Sequence, residues 1–405
     1  MMILQLAWRN IWRNTRRSVI ILISVTVGIV ATVLTDALNR GMVFQMLDNQ
    51  IGTYVSHIQI HRAGFKDNPV IQNTVPQTVD VDSVIGSVAG IDRFTKRVIT
   101  FGILSSAKNS SGISIVGIDP EREARVTTIR SSIVQGEYLS GREREIVLGV
   151  KLAEKLGVGI GGKVVAMASA LDGHIGSDVF RVAGLYESFS SEFDKVFAYI
   201  PLTDAQDLVS IGNRVSEYAI ILHNREELQR VQATLESDLG DAFEVLTYAE
   251  ILPLLVMSVE MYDQMMLVFY AIIGIAVIFG IVNTMLMSVF ERIREFGVLK
   301  AIGMKNRPLF LMIMIEAFYL GAIGTVVGFA LSYVLYLPLA QSGVDLSMFS
   351  DSLRSFGVGT VIYPVMTAGV VVNALTVIPA VTLLGAIYPA VKAVRLEPMS
   401  AIRYV

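Results

Sequence analysis

Hydrophobic residues are spread unevenly along this chain. Residues 18–35, 264–290, 317–344 and 355–391 contain no Asp, Glu, Lys or Arg. A helix that crosses a bilayer needs about 20 mostly apolar residues, so each stretch is long enough to span. One lies near the N-terminus and three crowd the last third. Between them, residues 41–262 mix polar, charged and apolar positions as a soluble domain does. The pattern predicts an integral membrane α-helical protein: four transmembrane helices with a large extracytoplasmic α+β domain inserted between helices 1 and 2. A pore, whose spans follow one another at short intervals, is not what it describes.

The basic residues orient these spans, because Lys and Arg gather on the cytoplasmic side. Arg9, Arg13, Arg16 and Arg17 precede the first run. Arg292, Arg294, Lys300, Lys305 and Arg307 lie between the second and third, and Lys392, Arg395 and Arg403 follow the fourth. Only Arg354 lies between the third and fourth. Both termini and the loop 291–307 are therefore expected in the cytoplasm, with 41–262 outside. The first apolar run exceeds the roughly 7–15 residues of a signal peptide's apolar region, and no small-x-small site follows it before Asp36, so it reads as an uncleaved span. The expected divisions are 1–17, a cytoplasmic amphipathic helix; 18–40, the first span; 41–262, the α+β domain; 263–290, the second span; 291–307, a cytoplasmic helix; 308–340, the third span; 341–364, a short outer loop; 365–389, the fourth span; and 390–405, a cytoplasmic tail. Within the outer loop, 355–364 reads as an interfacial lead-in.

Inside 41–262, short β-rich runs alternate with short helical patterns. Strands are expected over Tyr54–His61, Gly112–Ile118, Lys163–Ala168, Val179–Leu185, Val196–Ile200 and Glu217–Leu222, with an alternation that suits half-buried strands. Helices are expected over Val150–Leu156, Asp204–Ser210 and Arg225–Leu239. The domain reads as one α+β unit or two lobes, ending in a helical stalk, Ile251–Met266. Met257, Met261 and Met265 recur along the stalk at a spacing that suits packing against a neighbour.

Charged residues make up 17% of the chain, against about 25% in soluble proteins. A net charge of −3 argues against nucleic acid as a partner, and the absence of cysteine removes disulfides, thiolate metal sites and a catalytic thiol. Gly157, Gly162 and Lys163 imitate the start of a phosphate-binding loop, but Val164 stands where that loop needs Ser or Thr for magnesium. The glycines also follow a helical run instead of a strand, so a helix C-cap and turn is the expectation. His57 and His61 could share a strand face, yet no third metal ligand is evident, and they read as surface residues. No catalytic constellation is present, and neither a metal nor another cofactor is expected in this chain.

The loop 291–307 forms an amphipathic helix, with Ile293, Phe296 and Leu299–Lys300 at three-to-four spacing and Arg292, Arg294 and Glu295 presenting charge. Such a helix either docks in a partner's groove or anchors the loop at anionic lipid. Gly297 and Gly303 permit close approach or a break, and Pro308 suits the start of the next span. Leu4–Arg17 is amphipathic as well. Its Trp8 and Trp12, four apart, suit the headgroup level, so this helix is expected along the inner surface. Glu316 lies roughly 12 Å along a helix beginning at Pro308. It either faces a helix partner, is protonated, or sits near the interface. Gly321, Gly324 and Gly328 give the third span a small-residue face, which suits a dimer contact or packing within one copy.

The segment Glu291-Arg292-Ile293-Arg294-Glu295-Phe296-Gly297, continuing through Lys300, Ala301 and Gly303, resembles the signature of FtsX-like, or MacB-type, ABC transporter permeases. Ala7-Trp8-Arg9-Asn10 with Arg13, Arg16 and Arg17 is similar to that family's opening. Ala393 to Arg403, through Arg395, Pro398 and Ala401, is similar to its end, and Glu316 matches a Glu of its third span. Gly117-Ile118-Asp119-Pro120, Gly136-Glu137-Tyr138-Leu139 and Val147-Leu148-Gly149 look nearest the lipoprotein-releasing LolC/LolE type. The resemblance implies a non-catalytic permease subunit of the bacterial inner membrane. Its coupling helix would use Glu291, Arg292, Arg294, Glu295, Gly297, Lys300 and Gly303 to meet a cytoplasmic ABC ATPase dimer, which binds the ATP and Mg. It further implies a second permease subunit, identical or not, contact with membrane lipid, lipoprotein cargo and a periplasmic acceptor. Efflux with an outer-membrane partner, or signalling to a cell-wall hydrolase, are the alternatives within the family.

Overall fold

The computed structural model describes residues 2–13, 15–68 and 70–396. Glu397 to Arg403 of the terminal motif, with the charge of Arg403, and Asn14 of the opening motif lie outside the described residues. The chain forms two compact units. One comprises Met1–Val43, Val259–Asp345 and Val361–Val405; the other comprises Phe44–Ser258 and Leu346–Thr360.

The first unit is helical. A short helix, Met2–Arg13, precedes span 1 (Thr15–Gln50); span 2 (Pro253–Glu291), a loop helix (Ile293–Ala301), span 3 (Asn306–Ser342) and span 4 (Ala368–Val394) follow. All four spans are long and apolar enough to cross a membrane. Span 3 ends at Gly343, whose φ of +72° favours glycine. Thr367 caps the start of span 4 by accepting from the Val370 N–H. The lead-in expected at 355–364 contains a strand, Val361–Ile362, paired with Val344–Asp345. Val25, Ile29, Ile281, Ile313, Leu320 and Ile378 form the helical core, each at most 5% exposed.

The small face of span 3 lies inside one copy. A Cβ built on Gly324 would stand 2.7 Å from Val25, one on Gly321 3.0 Å from Thr382, and one on Gly328 3.0 Å from Ile29. These glycines let spans 1 and 4 approach, which is the packing within one copy that the small face also suited. Gly324→Leu is accordingly expected to cost about 1–3 kcal/mol by overpacking. Thermal unfolding in detergent checks it, and a variant as stable as the parent would show that the face has room.

The second unit carries ten strands: β1 (Ile58–Arg62), β2 (Ile91–Ser105), β3 (Ser110–Ile118), β4 (Ile133–Gly136), β5 (Glu145–Gly149), β6 (Lys163–Ser169), β7 (Ile175–Tyr186), β8 (Phe197–Pro201), β9 (Glu217–Leu222) and β10 (Phe243–Thr247). They pair in the order β10-β1-β9-β2-β3-β8-β5-β7-β4, while β6 joins β2 to β7. The pairings β2-β3-β8-β5-β7-β6-β2 therefore close into a ring. β3 with β8 and β5 with β7 run parallel, and the rest are antiparallel. Residues 91–97 of β2 pair with β9, and residues 97–105 with β3. One strand thus belongs to both parts of the sheet, and the choice between one unit and two lobes falls to one continuous sheet.

Three expectations change here. Tyr54 and Val55 belong to a π turn, Ile51–Val55, and the strand begins at Ile58. Ile58–His61 is buried on both faces: Ile58 and Ile60 lie in the hydrophobic core, and on the other face Phe65 stacks on His61, which bonds Gln59. His57 and His61 are therefore buried, 7% and 3% exposed, and are not surface residues. Their ring nitrogens are engaged. His57 Nδ1 lies 2.9 Å from the Leu222 amide nitrogen and Nε2 lies 3.0 Å from Arg225 Nε, and His61 bonds the Ser216 carbonyl at 3.1 Å and Gln59 at 3.0 Å. Burial, helped by Arg225 at His57, lowers both pKa values to about 4 and keeps the rings neutral. Gly157 ends the helix Val150–Leu156 at φ +62°, with its N–H on the Ala153 and Glu154 carbonyls, as a C-cap does.

Arg97 holds the middle of β2. It is fully buried, with Nη1 2.6 Å from Glu217, Nη2 2.8 Å from Glu123 and a further bond to the Tyr54 carbonyl at 2.6 Å. Even so, burial raises the Glu217 pKa to about 7. Arg354 also lies in this unit, donating to Asp194 at 3.1 Å and to the Ser188 carbonyl at 3.0 Å, with Glu187 beside it. Burial keeps the Asp194 carboxyl above its usual range in spite of Ser188 and Arg354.

Candidate coupling site

The loop helix turns its apolar stripe inward. Ile293 is 5% exposed and Phe296 1%, and Leu299 packs at the edge of the helical core. The stripe expected to dock on a partner is thus spent on this chain's own spans. Gly297 is buried beside Phe296. What faces outward is a different row, Arg294, Val298 and Ile302, spaced by four residues and so aligned along one helix face. Val298 is 43% exposed and Ile302 80%. The helix ends at Gly303, whose φ of +103° only glycine adopts readily.

Charge fixes the helix in place. Arg292, which the sequence puts on the charged face, points inward and is 6% exposed. Its Nη1 lies 3.2 Å from Glu316, its Nε lies 3.2 Å from Glu295, and its guanidinium stacks 4.9 Å from the Phe296 ring centre. Glu316 is buried on span 3, so of its three readings the helix partner is the one found. Glu295 also binds Arg13 of the first helix, and Glu291 pairs with Arg17 of span 1. Burial raises the Glu295 pKa, but Arg13 and Arg292 outweigh it and hold the carboxyl below its usual range. Lys300 donates to the Val394 carbonyl at 2.9 Å and the Leu396 carbonyl at 2.7 Å, where a cation suits a helix C-terminus. Its charge caps span 4 instead of facing outward.

The site is therefore a rigid bracket. One short helix is tied by Glu295 to the first helix, by Arg292 at its N-cap to span 3 and by Lys300 to span 4, while Glu291, at the end of span 2, binds Arg17 of span 1. A push on its exposed row reaches three elements at once. These pairings leave no signal in the linear chain, since Arg17 and Glu291, or Arg292 and Glu316, meet only once it is folded. The first helix, expected over Leu4–Arg17, runs over Met2–Arg13 and packs on the spans: Ala7 and Ile11 are buried, and Trp8 lies edge-on to Tyr319 at 5.5 Å.

Four helices long and apolar enough to span, a mixed domain inserted between the first two and a short charged helix between spans 2 and 3 define an integral membrane protein built around an inserted domain. Residues 18–238 match the MacB-like periplasmic core domain, and residues 267–398 match the FtsX-like permease C-terminal domain. The chain belongs to the FtsX-like ABC transporter permeases that carry a MacB-like periplasmic core domain. Its relatives include the lipoprotein-releasing system transmembrane protein LolC of Xylella fastidiosa, 25% identical over 71% of this chain and 72% of that one. The macrolide export ATP-binding/permease protein MacB of Bdellovibrio bacteriovorus is 24% identical over 96% of this chain and 60% of that one. Among solved structures, the periplasmic region of MacB from Actinobacillus actinomycetemcomitans covers 50% of this chain and 93% of its own, at 16% identity and a TM-score of 0.35.

Proposed function

We propose that this permease is a non-catalytic subunit that converts the ATP-driven closure of a separate ATPase dimer into motion of its core domain, and that its cargo is lipoprotein released from the outer leaflet of a bacterial inner membrane. The observation that carries the coupling is the exposed row Arg294, Val298 and Ile302 on a helix tied to three other elements. The row offers a cation and two apolar side chains to a cytoplasmic groove. With the basic loops inside, the core domain lies in the periplasm and both termini in the cytoplasm. ATP and Mg belong to the partner. Four spans leave little room for a path through one copy, which favours a second permease subunit, identical or not. The LolC relative and the Gly117-to-Gly157 likeness favour lipoprotein handed to a periplasmic acceptor. Efflux is the second reading, because the MacB relative matches nearly the whole of this chain.

Val298→Asp puts an unpaired carboxylate in the docking row and is expected to weaken ATPase binding at least about tenfold, the size of a contact hot spot. Co-purification of the ATPase with the permease measures it. Undiminished binding would mean that the row faces solvent or lipid. Identifying the protein and lipid that accompany the wild-type complex tests the cargo: lipoprotein supports release, whereas an outer-membrane channel in its place supports efflux.

A further inference from the structure

The helical unit contains an apolar cavity of about 710 Å³ with one polar end. Its walls are Gly274 and Ile278 of span 2 and Val377 and Val381 of span 4. At the other end stand Arg40 of span 1, Tyr270 of span 2 and Asn373 of span 4. From Tyr270 to Ile278 is eight residues, so the trough follows the helix for about 12 Å.

The polar end is a built cluster. Asp36, with no exposed side-chain surface, accepts from Arg40 Nε at 3.1 Å and from the Tyr270 hydroxyl, which Asn373 approaches at 3.5 Å. The arrangement hides the carboxylate and leaves the cation partly in view, since the Arg40 side chain keeps 19% of its surface and Asp36 none. Among the described lining residues, a ligand in the cavity therefore meets a guanidinium, a phenol and an amide. Depth adds to this. The charge-free run of span 1 ends at Thr35, after 18 residues or about 27 Å of helix, close to the roughly 30 Å of a bilayer's hydrocarbon core. Arg40 then stands one turn beyond, where lipid phosphates lie.

We propose that this cavity binds a bilayer phospholipid, with one acyl chain along Gly274, Ile278 and Val381 and an anionic headgroup phosphate beside Arg40, Tyr270 and Asn373. An apolar trough open to hydrocarbon takes an alkyl chain, and a cation at phosphate depth selects the anionic headgroup. The site is separate from the coupling bracket and from any cargo. It needs no nucleotide, so it stands or falls apart from the transport reading.

The test uses the full chain in liposomes with a phosphatidylglycerol that carries a photoreactive diazirine on one acyl chain, alongside the same probe with a phosphatidylcholine headgroup. Peptide mapping is expected to place the label on 266–281 and 369–381. The anionic probe should label about fivefold more than the zwitterionic one, as about 1 kcal/mol per basic residue at an anionic surface implies. Ala271→Trp, which fills the mouth of the cavity, should remove labelling by both probes. Asp36→Asn with Arg40→Gln, which removes both charges of the pair together, should abolish the headgroup preference and keep the label. Three results would overturn the proposal: label spread evenly over the lipid-facing sides of all four spans, equal labelling by both headgroups in the wild type, or label on these segments from a photoreactive triacylated lipopeptide but not from either phospholipid.

Discussion

Arg292→Ala is expected to destabilise the helical unit by about 3–5 kcal/mol, because it leaves the buried Glu316 carboxylate without its partner. The cost comes less from losing attraction than from stranding a charge that has no water to return to. Removing both charges separates the two effects. Arg292→Met with Glu316→Leu keeps volume and burial, and is expected to come within about 1 kcal/mol of the parent or above it. The only two tryptophans, Trp8 and Trp12, lie on the first helix and Trp8 touches span 3 through Tyr319, so their fluorescence reports the unfolding. If Arg292→Ala proves as mild as an ordinary surface change, the pair is not buried as described. The double variant also separates stability from coupling. It should fold, yet its loop helix has lost the tie to span 3, so ATPase binding is expected to persist while ATP-driven movement of the core domain declines.

The second large effect is expected at Arg97. Arg97→Met strands two carboxylates, Glu123 and Glu217, in one dry site and should cost the core domain about 3–5 kcal/mol. Adding Glu123→Gln and Glu217→Gln should restore much of it. Protease resistance of the domain in the full chain, followed across a denaturant series, measures the change. Acid should help the single variant. An unfolded glutamate titrates near 4.5, whereas burial holds Glu217 at about 7 even beside Arg97. Between those values the folded chain keeps a proton that the unfolded chain has lost. The stability linked to that proton is complete below about 4.5 and is lost as pH rises to about 7. With the guanidinium gone the carboxyl is harder still to ionise, so the deficit of Arg97→Met should shrink as pH falls from 8 to 5. A deficit that grows in that range would refute the assignment.

Much of the domain was legible strand by strand. The β-rich runs at Gly112, Lys163, Val179 and Glu217 each lie in a strand, of which Lys163–Ser169 alternates while Glu217–Leu222 is buried throughout. β2 was not legible. Its first half carries Asp92, Arg93, Lys96 and Arg97, and its second half reads as a nearly continuous apolar run because Phe101 and Ile103 are 59% and 47% exposed. Both halves break the apolar-in, polar-out rhythm on which a strand is recognised. Arg97 illustrates why: it looks like a surface cation and is fully buried, its charge answered by residues 26 and 120 positions away. His57 and His61 went the same way, since the groups that cover them, Leu222 and Arg225 for one and Ser216 and Phe65 for the other, come from other parts of the fold.

By itself the sequence determined the four spans, the inserted domain and the family, because a bilayer demands long charge-free runs and such runs survive in the linear order. It also placed the loop helix and named most of its residues. Which way that helix faces was decided only by tertiary structure. Phe296 and Arg292 turn inward because Glu316 and the spans wait there, leaving Arg294, Val298 and Ile302 outside. The glycines of span 3 were equally undecided, since a small residue invites any close neighbour, and only the packed chain says that the neighbour is Val25. Periodicity records what a residue needs; the partner that supplies the need is set by contacts between distant segments, and these leave no trace in local order.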